Sequence, residues 1–188
     1  MKLKPTEEID GWFDFADVYD FLISTVPKNG HFLEGGAWKG KSSSYLCDHC
    51  KDFNVYIVDT WEGSPEFNLD IRARREKAFD AFLKNMRGRH YNLLKMPSNE
   101  AVKKFPDNSL DVVFIDMNHS YESVKEDIKI WYPKVKVNGY LAGHDYNTGA
   151  FPGLVWAVHQ RLGKENIRVV GQCWIHQKKE EDKNERIS

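Results

Sequence analysis

Residues 32–44 read Phe32-Leu-Glu-Gly-Gly-Ala-Trp-Lys-Gly-Lys-Ser-Ser-Ser44. A short apolar run, an acid, a glycine turn and a serine-rich helix start match the first strand, turn and helix of a nucleoside-binding α/β domain. Glycines at 35, 36 and 40 let a ligand approach the backbone.

Two ligands compete for this turn. Gly35 to Ser42 satisfies the phosphate-loop pattern G-x-x-x-x-G-K-[ST]. Glu34, however, stands directly before the first glycine and would aim a carboxylate at a triphosphate, which needs donors and cations. The bulky Trp38 also sits badly in a tight nest of N–H groups. A carboxylate at the tip of strand one, followed by Glu34-x-Gly36-x-x-x-Gly40, suits a cationic ligand with an amino-acid end, such as S-adenosylmethionine. A turn that serves connection alone is the third reading.

The composition narrows the class. A chain of 188 residues with 41% hydrophobic and 13% aromatic content can bury a single core. A net charge of −1, with acids and bases interspersed, gives no footprint for nucleic acid or an anionic membrane. No apolar run approaches membrane-span length, so a cytoplasmic protein is expected, with no nucleic-acid or membrane partner and with a homodimer allowed. Three cysteines argue against a disulfide framework. Cys47, His49 and Cys50 supply at most three ligands on what should be a helix face, which reads as packing.

Outward from the turn, Asp14 to Val26 has helical apolar spacing and ends before Pro27. Asn54 to Asp59 is a second strand, and its closing acid lies 19 positions after Gly40, where it can accept ribose hydroxyls. Trp61 follows, with an indole that could lie on an adenine face. A long helix over about 69–87 carries Arg72, Arg74 and Arg75 near its start, and the span 64–90 is a candidate lid. Tyr91 to Met96 is the third strand, after which Ser98 is placed to cap a helix reaching Phe105.

Asp111-Val-Val-Phe-Ile-Asp116 is apolar between its two acids, as a parallel strand buried on both faces should be. His119 follows, and Ser120 is placed to cap the next helix. Tyr140 to His144 is a fifth strand delivering His144, Asp145, Tyr146 and Asn147 to the same edge. Asp116 and Asp145 could then hold one hard cation between adjacent strand ends. Leu154 to Leu162 is a helix, and 167–170 with 173–176 forms an edge hairpin. Residues 1–177 are expected to be one domain, opened by a helix within 1–29 and followed by a charged tail, 178–188.

Taken together, these motifs make the chain resemble the class I S-adenosylmethionine-dependent methyltransferases, in the small-molecule O-methyltransferase branch that includes catechol O-methyltransferase and bacterial sugar O-methyltransferases. The resemblance spans about 32–162. It implies a Rossmann-like, doubly wound α/β sheet of seven strands, mostly parallel with an antiparallel C-terminal hairpin. It implies that Glu34, Gly36 and Gly40 hold the methionine end, that Asp59 holds the ribose, and that Ser98, with Trp61 as a looser match, flanks the adenine. In the metal-dependent branch Asp116 and Asp145 match the magnesium acids, and Asp116 also borders the cofactor. The third ligand is usually Asp or Asn directly after the second acid. Tyr146 stands there instead, so Asn147 or His144 would have to substitute. His119 takes the place of the family's general-base lysine; an imidazole with an ordinary pKa near 6.5 can accept a hydroxyl proton. His144 is the second catalytic candidate. The implied reaction is methyl transfer to a hydroxyl of a sugar, phenol or other metabolite. The alternatives are a phosphate-loop hydrolase or kinase and a non-catalytic S-adenosylmethionine-binding protein.

Overall fold

The computed structural model describes residues 3–50, 52–63 and 71–180, with side chains in the third long helix described from Lys77 onward. Expectations for Ser64 and Pro65, for the side chains of Arg72, Arg74 and Arg75, for most of the lid's entry, and for tail residues 181–188 lie outside the described residues.

Seven strands form one sheet: β1 (His31–Gly35), β2 (Asn54–Asp59), β3 (Asn92–Lys95), β4 (Leu110–Ile115), β5 (Val135–Gly143), β6 (Arg168–Val170) and β7 (Cys173–Gln177). Their order is β3-β2-β1-β4-β5-β7-β6. The first five are parallel, and β7 runs antiparallel between β5 and β6. This is the mostly parallel α/β sheet expected from the sequence. Helices α1 (Ala16–Thr25), α2 (Lys41–His49), α3 (Ile71–Asn85), α4 (Ser98–Ala101), α5 (Tyr121–Trp131) and α6 (Pro152–Leu162) alternate with the strands. No helix among the described residues is long and apolar enough to cross a membrane.

Strand parity explains the two cores. In β4, Val112 and Phe114 face the layer of α1, α2 and α3, while Val113 and Ile115 face α5 and α6. Both faces are covered, so the whole strand is apolar apart from Asp111. Phe32 shares the α1 and α2 side, and alternation puts Glu34 on that side as well.

Three local readings shift. Helix α1 starts at Ala16, which leaves Asp14 outside it, and it buries Val18, Tyr19 and Leu22 while Phe21 and Ile23 stay half-buried. Strand β5 begins at Val135, because an irregularity lets Val135 pair with Leu110 before Tyr140 pairs with Val112. Ser98 caps nothing; Pro97 holds the cap position of a helix only four residues long.

Candidate active site

The carboxyl ends of β1, β2, β4 and β5 share one edge of the sheet, and the polar residues there fall into two groups. The first surrounds the glycine turn. Glu34 is 1% exposed, accepting from Tyr19 Oη at 2.9 Å and from Ser43 Oγ at 2.5 Å. Burial pushes its pKa up to about 7, against the pull of the hydroxyls that donate to it. Gly36 has φ 89°, and a Cβ there would lie 1.8 Å from the carbonyl oxygen of Asp116. The glycine is required by two chain segments crossing, a reason the motif alone does not reveal. Gly40, at φ 85°, starts α2 in a left-handed conformation.

Asp59 acts on the same turn. Its Oδ2 accepts from the N–H groups of Ala37 at 2.8 Å and Trp38 at 3.0 Å, and Oδ1 accepts from Trp61 N–H at 2.7 Å. Burial raises its pKa, and those N–H donors hold it down. Gly36 N–H donates to Val58 O and Gly40 N–H to Ala37 O. Lys41 turns away from the loop to the Gly11 carbonyl at 3.2 Å. The Gly36, Ala37, Trp38 and Gly40 amides and the Lys41 ammonium are therefore engaged within the protein, and a carboxylate holds the place of an anion.

Trp61 is 5% exposed, packed on Phe79 and Phe82 with ring centroids 4.8 Å away, and its indole N–H donates to Trp38 O at 2.7 Å. The structure makes it a core residue, not a free platform for a base. Ser98 Oγ donates to Asp127 Oδ1 at 2.6 Å and accepts from the Trp131 indole at 2.8 Å. Its hydroxyl ties α4 to α5.

The second group follows β4 and β5. His119 Nε2 lies 2.9 Å from Asp145 Oδ2 and 3.9 Å from Asp116 Oδ1. His144 Nδ1 lies 3.4 Å from Asp145 Oδ2 and 4.0 Å from Asp116 Oδ1, and its ring packs 4.5 Å from Phe15. Burial alone would lower the His119 pKa, yet hydrogen bonds and charge from Asp116 and Asp145 carry it to about 10. The ordinary imidazole value expected from the sequence is thus displaced, because two carboxylates hold its proton. His144 is raised by the same neighbours against burial. Burial opposes ionisation of Asp145, but the two imidazoles hold its pKa well below the usual carboxylate range.

Asp116, His144 and Asp145 form the one group of His, Cys, Asp or Glu among the described residues whose ligand atoms all lie within 4.8 Å. Two carboxylates and an imidazole on one edge fit a hard divalent cation. Asn147 does not join them: its Oδ1 accepts from Gly149 and Ala150 N–H within its own turn, while Tyr146 Oη meets His159 Nε2 at 2.6 Å. Cys47, His49 and Cys50 are not a metal group; His49 stacks on Tyr45 and Cys50 bonds to the Cys47 carbonyl.

Two participants had no clear sequence signal. Tyr19 was one more aromatic in an amphipathic helix, and Asp14 read as that helix's first residue. Asp14 Oδ1 comes to 3.4 Å from His144 Nε2, joining segments 130 positions apart.

A family model described as a methyltransferase domain matches residues 33–146, from the middle of β1 to just past Asp145. An uncharacterized protein of Acanthamoeba polyphaga mimivirus is 28% identical over 135 residues, covering 69% of this chain and 58% of that protein. Demethyldecarbamoylnovobiocin O-methyltransferase of Streptomyces niveus is 26% identical over 151 residues, covering 69% of this chain and 56% of that enzyme. The chain therefore spans less than two thirds of the length of these curated relatives. Among solved structures, the O-methyltransferase NovP has the same fold, with a TM-score of 0.67 at 19% identity over 87% of this chain and 79% of that chain.

Proposed function

We infer, from the premise that the chain belongs to the methyltransferase domain family matched over residues 33–146, that it moves a methyl group from S-adenosylmethionine to a hydroxyl of a small molecule. The observation carrying this reading is the convergence of Asp116, His119, His144 and Asp145 on one strand-end edge, beside a turn flanked by Glu34 and Asp59. Hydroxyl transfer is supported by the likeness to the Streptomyces enzyme. A cytoplasmic site of action belongs to the same proposal.

The first group suits the cofactor. Two acids at adjacent strand ends favour a cationic sulfonium and ammonium over phosphates. Glu34 supplies negative charge from beneath the turn, Gly36 and Gly40 keep the backbone thin, and Asp59 fixes amides 37 and 38. Asp116 reaches the same region through its carbonyl, which touches Gly36. Ser98 and Trp61 are assigned supporting positions behind the cofactor's adenine end. S-adenosylmethionine, when bound, supplies an electrophilic methyl group. Holding it in line with the acceptor oxygen is the protein's main contribution to rate.

The second group activates the acceptor. Asp116, Asp145 and His144 would hold a divalent cation, which when bound would acidify a coordinated hydroxyl. With both carboxylates uncompensated, His119 remains protonated and donates to Asp145. It becomes a base only when that negative charge is offset.

Calorimetry with S-adenosylhomocysteine and with ATP, each with and without magnesium, tests the assignment. Micromolar binding of the homocysteine compound and no binding of ATP is the expected result. Tight binding of ATP alone would reject it.

A further inference from the structure

The segment 9–14 crosses the strand-end edge as a strap. Thr6 and Ser44 hydroxyls share a hydrogen bond at 2.8 Å, Lys39 pairs with Asp10 at 2.5 Å, and Lys41 bonds the Gly11 carbonyl. These contacts lay the strap against the start of α2. Its far end delivers Asp14 to His144. Between strap, turn and α3 lies a cavity of about 520 Å³ lined by Asp10, Gly11, Trp12, Trp38, Lys39 and Lys77. That volume suits a small organic molecule.

Two large aromatic side chains stand open there. Trp12 is 83% exposed and Trp38 is 36% exposed. Trp38 is also held at φ 48°, a left-handed conformation costly for a bulky residue. Trp61, following the neighbouring strand, shares the left-handed conformation at φ 56° yet is only 5% exposed, so the open pair is not forced by lack of core. Among the described residues the cavity is lined by two lysines and one acid; Asp10 is paired with Lys39, and Lys77 has no carboxylate partner among them.

We propose that this cavity seats the methyl acceptor, and that the acceptor is a ring compound carrying a carboxylate or a phosphate. This rests on the methyl-transfer reading above. The indoles of Trp12 and Trp38 offer the ring apolar faces, and Lys77 takes the anion. Trp12 and Asp14 are two residues apart, so their Cα atoms are at most about 7 Å from each other. Asp14 Oδ1 lies 3.4 Å from His144 Nε2, so the strap that lines the cavity runs on to the strand-end group.

Tryptophan-fluorescence titration with two matched pairs tests this: 3,4-dihydroxybenzoate against catechol, and glucose 6-phosphate against glucose. One anionic member should bind about tenfold tighter than its neutral partner, and the pair that shows it identifies an aromatic acid or a sugar phosphate. Lys77→Ala should remove most of that preference, and Trp12→Ala, at an exposed position, should weaken binding about tenfold. Equal binding of both members, no binding of either, or unaltered binding by Trp12→Ala overturns the proposal. Calorimetry with S-adenosylhomocysteine on the same samples separates the two readings. Retained cofactor binding without anion preference rejects the seat alone, whereas absent cofactor binding in the parent rejects methyl transfer. Loss of S-adenosylhomocysteine binding in Trp12→Ala would assign the cavity to the cofactor and also reject the seat.

Discussion

The glycine turn after β1 and the strand ends of β4 and β5 lie on one edge, yet they are finished to different degrees. Around the turn, the Glu34 oxygens, the Asp59 oxygens and the Ala37 and Trp38 amides have partners within the protein at hydrogen-bond distance. At the other end, two carboxylates and two imidazoles crowd within 4 Å, with side chains 10–26% exposed. A satisfied network is a frame: it holds a shape and resists change. A crowded, half-open group of charges is poised for a ligand, because its electrostatics are balanced only by protons.

The frame should break most sharply at Gly36. A methyl group there meets the Asp116 carbonyl at 1.8 Å and its carbon at 2.5 Å, both backbone atoms, at φ 89°. Gly36→Ala is expected to cost more than about 4 kcal/mol and to abolish folding or lower the Tm by about 10 °C. Gly171→Ala, at φ 56° with no atom within 4 Å, is the control and should cost about 1 kcal/mol. Equal losses by thermal denaturation would show that the crossing of the two segments is not tight.

At the open end, Asp145→Asn is expected to leave the fold intact and to cost about 100-fold or more in both magnesium affinity and turnover. Calorimetry with magnesium and product formation read the two effects separately. Undiminished turnover would remove Asp145 from the chemistry.

Glu34 gives the frame a pH signature. Its folded pKa of about 7 lies above the ordinary 4.5. The folded state therefore binds the proton more tightly, so this group's contribution is complete below about pH 4.5 and is lost as pH rises through about 7. The loss should be on the order of 2–3 kcal/mol. Glu34→Gln should flatten denaturation midpoints over that range. A Glu34→Gln variant that keeps the parent's slope would show that another group titrates.

The contrast also marks what the sequence could and could not convey. Strands ending in Glu34, Asp59, Asp116 and near Asp145 were legible because an apolar run closed by an acid is a local pattern, and parallel sheets put such ends on one edge. Partners were less legible. Whether Ser98 caps a helix or binds Asp127 depends on how α5 docks, 29 positions away. Trp61 reads alike as platform or core until Phe79 and Phe82 close on it. His119 looked like an ordinary base because the spacing does not reveal that Asp145, 26 positions on, comes within 2.9 Å. Asp14 was absorbed into a helix pattern that begins two residues later.

Ser98 offers the smallest and most discriminating effect. It lies just after β3, where an adenine contact is expected, yet its hydroxyl is spent on Asp127 and the Trp131 indole. Asp127 is buried, with its pKa raised to about 6 by that burial against the Ser98 hydrogen bond. Ser98→Ala leaves this carboxyl and the indole each short of a partner, which should cost about 1–2 kcal/mol. Above pH 6 the penalty should grow, because the ionised Asp127 is then the form left without its donor. A frame residue should show this in denaturation midpoints while S-adenosylhomocysteine affinity stays within about twofold, since no hydroxyl is lost from the ligand's side. A tenfold loss of affinity at unchanged stability would instead move Ser98 from the frame to the ligand's surface.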